Sequence, residues 1–294
     1  MPLRLEKYIL ILLSFILIRT VGAAQEVVVV LSSELDPYLQ AYDGFKETFG
    51  NPVPVVSLSA GRPEIGLNTR VVVAFGGKAA VEKYPSEVAL VYCMSPGTDL
   101  SGLERRGPTV RINMLPRGRE VVESLKSIQP LMKRLVVFWV LDVTKSYYQS
   151  MVKVGNDLEV DILAERLDHA DDLPDKLRAL MGKNVDALWL PPDPLLINPH
   201  SFSVIKEFSW ANDMPLYGPT AGFVEAGAVA AVSVSFRHIG QIAADMVSNI
   251  LEGGQPSGNV YPGESQITVN QQAASKVGLQ IPAEVMHQAF KVQR

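Results

Sequence analysis

The chain has 294 residues, enough for one large domain or two of medium size. Its 47% apolar and 20% charged residues suit a folded globular protein. A formal net charge of −4 without any Lys/Arg block argues against a nucleic-acid partner, and the single cysteine, Cys93, excludes an intramolecular disulfide.

The first predicted element is a targeting segment. In "MPLRLEKYILILLSFILIRTVGAAQ", Arg4 and Lys7 precede an apolar run from Tyr8 to Ile18, and small residues follow. That is the layout of a secretory signal peptide, residues 1–24, with cleavage expected after Ala24. As a helix the run would extend roughly 16 Å, against about 30 Å for the hydrocarbon core of a bilayer, so an uncleaved anchor is the lesser reading. Cleavage leaves 24 basic and 30 acidic residues, a net charge of −6 (three of 27 basic and one of 31 acidic residues are removed). No cysteine stands beside the segment to carry a lipid, so the expected location is periplasmic, without a lipid anchor.

Apolar runs then alternate with helically spaced segments. Val27–Leu31, Val71–Phe75, Val88–Tyr92 and Thr109–Asn113 form a first set of predicted strands. Arg134–Leu141, Val160–Glu165, Ala187–Leu190 and Ala228–Val234 form a second, with Gln266–Asn270 as a late strand. Most are continuously apolar, which suits strands buried on both faces of a parallel sheet. The helical segments between them predict βαβ units and an α/β fold. Breaks near Asn113–Gly118 and Ser235 predict two lobes. Residues 25–115 plus about 236–262 would form the first lobe, and 116–235 plus about 263–294 the second.

In open parallel sheets a ligand sits outside the carboxyl ends of the strands. Those ends read Ser32-Ser33-Glu34, Gly76-Gly77-Lys78, Met94-Ser95-Pro96, Asp142-Val143-Thr144, Pro191-Pro192-Asp193, Gly218-Pro219-Thr220 and Ser235. Small, hydroxylated and proline-rich residues of this kind leave room for a ligand. Tyr38, Tyr147 and Tyr148 could stack on an aromatic one or serve as packing. Asp193 could contact ligand or cap a turn. No nucleophile elbow, dinucleotide fingerprint or phosphate loop is present. His169, His200, His238 and His287 lack metal-ligand spacing, and Asp171, Asp172 and Asp175 read as a solvated helix start. No catalytic residue, metal or cofactor is expected, so an exported enzyme is the weakest reading.

Several stretches resemble, in order, the substrate-binding proteins of ABC importers of the tryptophan/tyrosine-uptake type. They are "LSSELDPYLQAYDGFKETFG", "VVVAFGGKAAVE", "VDALWLPPDPL", the segment from Met214 to Gly258, and "ITVNQQAASKVGLQIPAEV". The resemblance implies a two-lobed periplasmic-binding-protein fold of the three-crossover type. It implies hinge closure on a small-molecule ligand, and an ABC permease in the inner membrane as partner. A signalling receptor read by a ligand sensor is the alternative, and a monomer is expected. The implied contacts are Ser32, Tyr38, Gly76, Gly77, Met94, Ser95, Asp193 and the Gly218–Phe223 loop, including Thr220 and Phe223. Strand-end position adds Ser33, Asp142, Pro192 and Ser235, and ring chemistry adds Tyr147. Members of that family often carry acidic residues where Pro219-Thr220-Ala221 and Ser235 stand here, and an aspartate-proline where Ser95-Pro96 stands. The ammonium of an amino-acid ligand would therefore lack those partners.

Overall fold

The computed structural model describes residues 26–293, so the predicted signal peptide lies outside the described residues. Two sheets organise the chain. The first has the strand order β11-β5-β4-β3-β1-β2 and contains β1 (Val27–Leu31), β2 (Val55–Ser57), β3 (Val71–Phe75), β4 (Ala89–Cys93), β5 (Thr109–Ile112) and β11 (Gly258–Val260). All its pairings are parallel. The second has the order β13-β12-β10-β9-β8-β6-β7. It contains β6 (Arg134–Trp139), β7 (Asp161–Arg166), β8 (Ala187–Trp189), β9 (Leu216–Gly218), β10 (Ala230–Ser233), β12 (Gln266–Asn270) and β13 (Lys291–Gln293). Here β10 and β12 are antiparallel and the rest parallel.

The valine-rich runs form the central strands because β-branched side chains suit the pleat and helices cover both faces. Every residue of β1, β3 and β4 is buried. Cys93 ends β4 in this core, and burial drives its thiol pKa up, as for an inert structural cysteine. The short strands β2, β11 and β13 were not among the predicted ones, and β9 was expected only through its end at Gly218.

The chain crosses between the sheets three times. After β5 it passes to the helix Gly118–Ile128, whose Val121, Val122, Leu125 and Ile128 join the core under β6. After β10 it returns to the first sheet as the helix Phe236–Leu251, capped by the Ser235 hydroxyl, which accepts from the His238 N–H at 3.1 Å. After β11 it crosses again to β12.

Two helices distant in sequence close the first sheet. Asp36–Phe49 and Phe236–Leu251 meet at glycines: a Cβ on Gly240 would overlap the Ala41 carbonyl oxygen, and one on Gly44 the Arg237 carbonyl oxygen. Glycine is required at such a backbone approach. Arg237 and Glu47 form an exposed ion pair across the same contact. Gly240→Ala is expected to cost about 2–3 kcal/mol, a fall of about 5–10 °C in thermal melting. Gly263→Ala, with nothing within 4 Å, is the control and should leave the melting point unchanged.

Candidate functional site

The carboxyl ends of the two sheets face one cavity of about 630 Å3, including space open to solvent. The first sheet contributes Ser95-Pro96-Gly97 after β4, Arg111-Ile112 and the following Asn113-Met114-Leu115, and Asn259 of β11. The second contributes Val143, Thr144, Ser146, Tyr147 and Tyr148 after β6, and Pro192 after β8. Tyr261, in the third crossover, completes the wall. The sheets' loops touch at Gly97, where φ is 73° and a Cβ would strike Leu141 and crowd Pro194.

Aromatic rings form one side. Tyr147 stacks on Tyr261 with centroids 6.2 Å apart and planes 18° from parallel. It meets Tyr148 edge-on at 5.6 Å, and Tyr148 packs back onto Trp139 and Trp189. The Tyr147 hydroxyl donates to the Pro116 carbonyl at 3.0 Å, which ties the helix Lys145–Asp157 to the first crossover. Burial pushes the Tyr147 hydroxyl well above the ordinary tyrosine pKa, with smaller contributions from Tyr148, Tyr261 and Glu120, so it stays protonated and donating. Ser95 also lines the cavity; it is 3% exposed and its Oγ has no hydrogen-bond partner among the described residues. A buried unpartnered hydroxyl is uncommon and points to a missing partner.

Of the residues predicted as ligand contacts, Ser95, Tyr147 and Pro192 line this cavity. Met94 precedes Ser95, buried and with φ of 54°, the strained turn that aims Ser95. Ser32, Tyr38, Gly76 and Gly77 gather one step away. The Ser32 Oγ accepts from the Ala79 N–H at 2.9 Å, and a Cβ on Gly76 (φ 99°) would collide with Ser32 and the Tyr38 ring. Gly77 packs against Thr98 of the Ser95 loop. Ser33 is half-buried beside Ser32. Gly218, Thr220 and Phe223 form a separate group: Thr220 and Phe223 line a groove with Ile197, Pro199 and Phe202, and Gly218 seats the Phe223 ring. Ser235 serves as the helix cap described above.

Two predicted contacts have other work. Asp142 is exposed and pairs with Arg166 at 2.9 Å, and only its neighbours Val143 and Thr144 reach the cavity. Asp193 is fully buried. Its Oδ2 accepts from the Val140 and Leu141 N–H groups at 2.8 and 3.1 Å, and its Oδ1 from the Leu195 N–H at 3.0 Å. The carboxylate fastens the proline-rich end of β8 to the end of β6, the turn-capping reading of this residue, and has little left to offer a ligand.

Arg111, Asn259 and Tyr261 were not predicted. "TVRIN" carried a signal for the first: Thr109, Arg111 and Asn113 alternate with buried Val110 and Ile112, unlike the continuous runs elsewhere. Asn259 lies in a strand too short to read, and Tyr261 follows it.

Residues 113–293 match the family described as ABC transporter substrate binding protein. This chain belongs to that family. A tyrosine-binding protein of Clostridioides difficile (strain R20291) is 21% identical over 136 residues, which is 46% of this chain and only 39% of that relative. A Streptococcus pneumonia ABC domain in complex with L-Trp superposes with a TM-score of 0.63 at 16% identity, covering 90% of this chain and 99% of that one. The ligand-free, open structure of a substrate binding protein with adhesive properties from Clostridium difficile gives 0.66 at 15% identity, covering 92% and 99%. These likenesses establish the two-lobed fold expected from the sequence.

In this substrate binding protein Asp193→Ala would leave three backbone donors without their acceptor. The expected result is a loss of about 3 kcal/mol or more in unfolding free energy by urea titration, with Asp193→Asn intermediate.

Proposed function

We propose that the chain is a periplasmic solute-binding protein: it captures a small molecule in the Ser95–Tyr261 cavity and presents it to an ABC import permease. The observation that carries the reading is a single cavity walled by strand ends of both sheets, in a chain of the substrate-binding family. Residues up to about 115 with 236–262 move as one lobe, and 116–235 with 263–293 as the other. The three crossovers are the hinge. A ligand touching both walls favours the closed arrangement by its differential affinity, and the permease reads that state. Export by the segment 1–24 places the mature chain in the periplasm as a monomer. Among the described residues no helix is long and apolar enough to cross a membrane. The cavity offers hydroxyls, amides, rings and the Arg111 guanidinium, groups that suit holding a ligand.

The test is a thermal-shift and calorimetric screen of small aromatic and aliphatic solutes against protein stripped of copurified ligand. A ligand at 100 times its dissociation constant stabilises the fold by about 2.7 kcal/mol. Tyr261→Ala, at a half-buried ring, is expected to weaken such a ligand by about 30-fold while the free protein melts close to wild type. Hits whose affinity ignores Tyr261, Tyr147 and Ser95 alike would place the ligand elsewhere and end this reading.

A further inference from the structure

We infer that the captured solute is an organic anion with an aromatic body, its carboxylate held by Arg111 and its ring by Tyr147 and Tyr261, rather than a zwitterionic amino acid. The inference rests on the cavity being the ligand site, as proposed above.

Strand register places Arg111 there. Arg111 pairs with Tyr92 of β4 on one side and Asn259 of β11 on the other, so all three side chains leave the same face of the sheet. Val110 and Ile112 take the opposite face into the core. Burial raises the Tyr92 phenol pKa; the neighbouring Arg111 guanidinium opposes the rise and Asp99 adds to it.

Three described arginines are half-buried: Arg105, Arg111 and Arg134. Arg105 donates to the Pro85 and Val88 carbonyls, and Arg134 pairs with Asp161 at 2.8 Å. Arg111 has no ion pair and no hydrogen bond among the described residues, though it lines the cavity. A partly desolvated guanidinium without a partner lacks the carboxylate or phosphate that its planar fork fits. The unpartnered Ser95 hydroxyl and the Asn259 amide share the same wall, and both can donate to an anion.

Nothing lining the cavity can meet an ammonium ion with charge. Arg111 is the one charged residue among the lining residues. Asp142 is engaged by Arg166, and Asp193 by three backbone donors. Two competitors remain. Asp99 is exposed and acts electrostatically on Tyr92, but it accepts from the Ser101 N–H and hydroxyl at 2.9 and 3.0 Å and does not line the cavity. Glu120 is the second. Its Oε2 is buried without a partner and it acts electrostatically on Tyr147, but it does not line the cavity. A buried ammonium without an anion is costly, so a zwitterion would bind worse than the corresponding acid.

Calorimetry on the purified protein with six related probes separates the cases: benzoate and phenylacetate, their neutral amides, the cation phenethylamine, and phenylalanine. The carboxylates are expected to bind best. Arg111→Gln should weaken them by about 10- to 100-fold while leaving the amides nearly unchanged, Arg111→Lys should restore part of the loss, and Glu120→Gln should have no effect. Tyr261→Ala should weaken every probe that enters the cavity. Binding of phenylalanine or phenethylamine that depends on Tyr261 and Glu120 but not on Arg111 would overturn the anion inference and leave the cavity as the site. Carboxylate binding indifferent to both Tyr261 and Arg111 would overturn both readings. No carboxylate binding at millimolar concentration would overturn the anion inference.

Discussion

The contact on which the site depends is Tyr147. Its hydroxyl holds the Pro116 carbonyl of the first crossover at 3.0 Å, and its ring stacks on Tyr261 of the third. One side chain from the second sheet therefore fastens two of the three strands of chain that join the lobes. The phenol is held protonated by burial, so the hydrogen bond persists across physiological pH. Because the ring also forms a cavity wall, a ligand lying against it would be in contact with the segments that must bend on closure. Coupling of binding to hinge state then needs no relay through the cores, whose close packing makes them poor deformable elements.

The outer frame is stiffened within each sheet's half of the molecule. The first sheet is closed by helices brought together at Gly44 and Gly240, an approach only glycine permits. In the second sheet the Asp193 carboxylate ties the ends of β6 and β8. Both devices join segments far apart in sequence, and both lie within a lobe. The links between lobes are fewer: the crossovers, the Tyr147 contacts, and the approach of the Gly97 loop to Leu141 and Pro194. A body stiff inside and lightly joined across its cleft is suited to two discrete arrangements.

The sequence showed the fold far better than the site. Continuous valine runs suited strands covered on both faces, and β1, β3 and β4 are buried throughout. The site was harder because it is assembled from loop geometry. Asp193 sits in the PPDP turn at the end of β8, yet its role is set by the N–H groups of Val140 and Leu141, more than fifty residues away in sequence. Local sequence carries no trace of that pairing. Tyr261 follows a three-residue strand whose place beside β5 is a tertiary fact. Arg111 carried a signal: polar alternation in one strand among apolar ones marks a face that is not wholly buried in the core.

Asp193 and Arg111 show why a charged residue near a cleft must be judged by its remaining valence. Asp193 is a buried carboxylate without a cation, which at first looks like a cradle for a ligand's ammonium. Three N–H donors already surround its oxygens, and charge-assisted hydrogen bonds of that kind satisfy a carboxylate without a counter-ion. Arg111 is less buried, and its five donors have no hydrogen bond among the described residues. The first group is complete in the free protein and the second is not. Ser95, whose hydroxyl is buried and unmatched, falls on the same side of that division. Both can donate, and both line the cavity. The guanidinium can only donate, so the charged group left incomplete in this lining is matched by a ligand that brings negative charge.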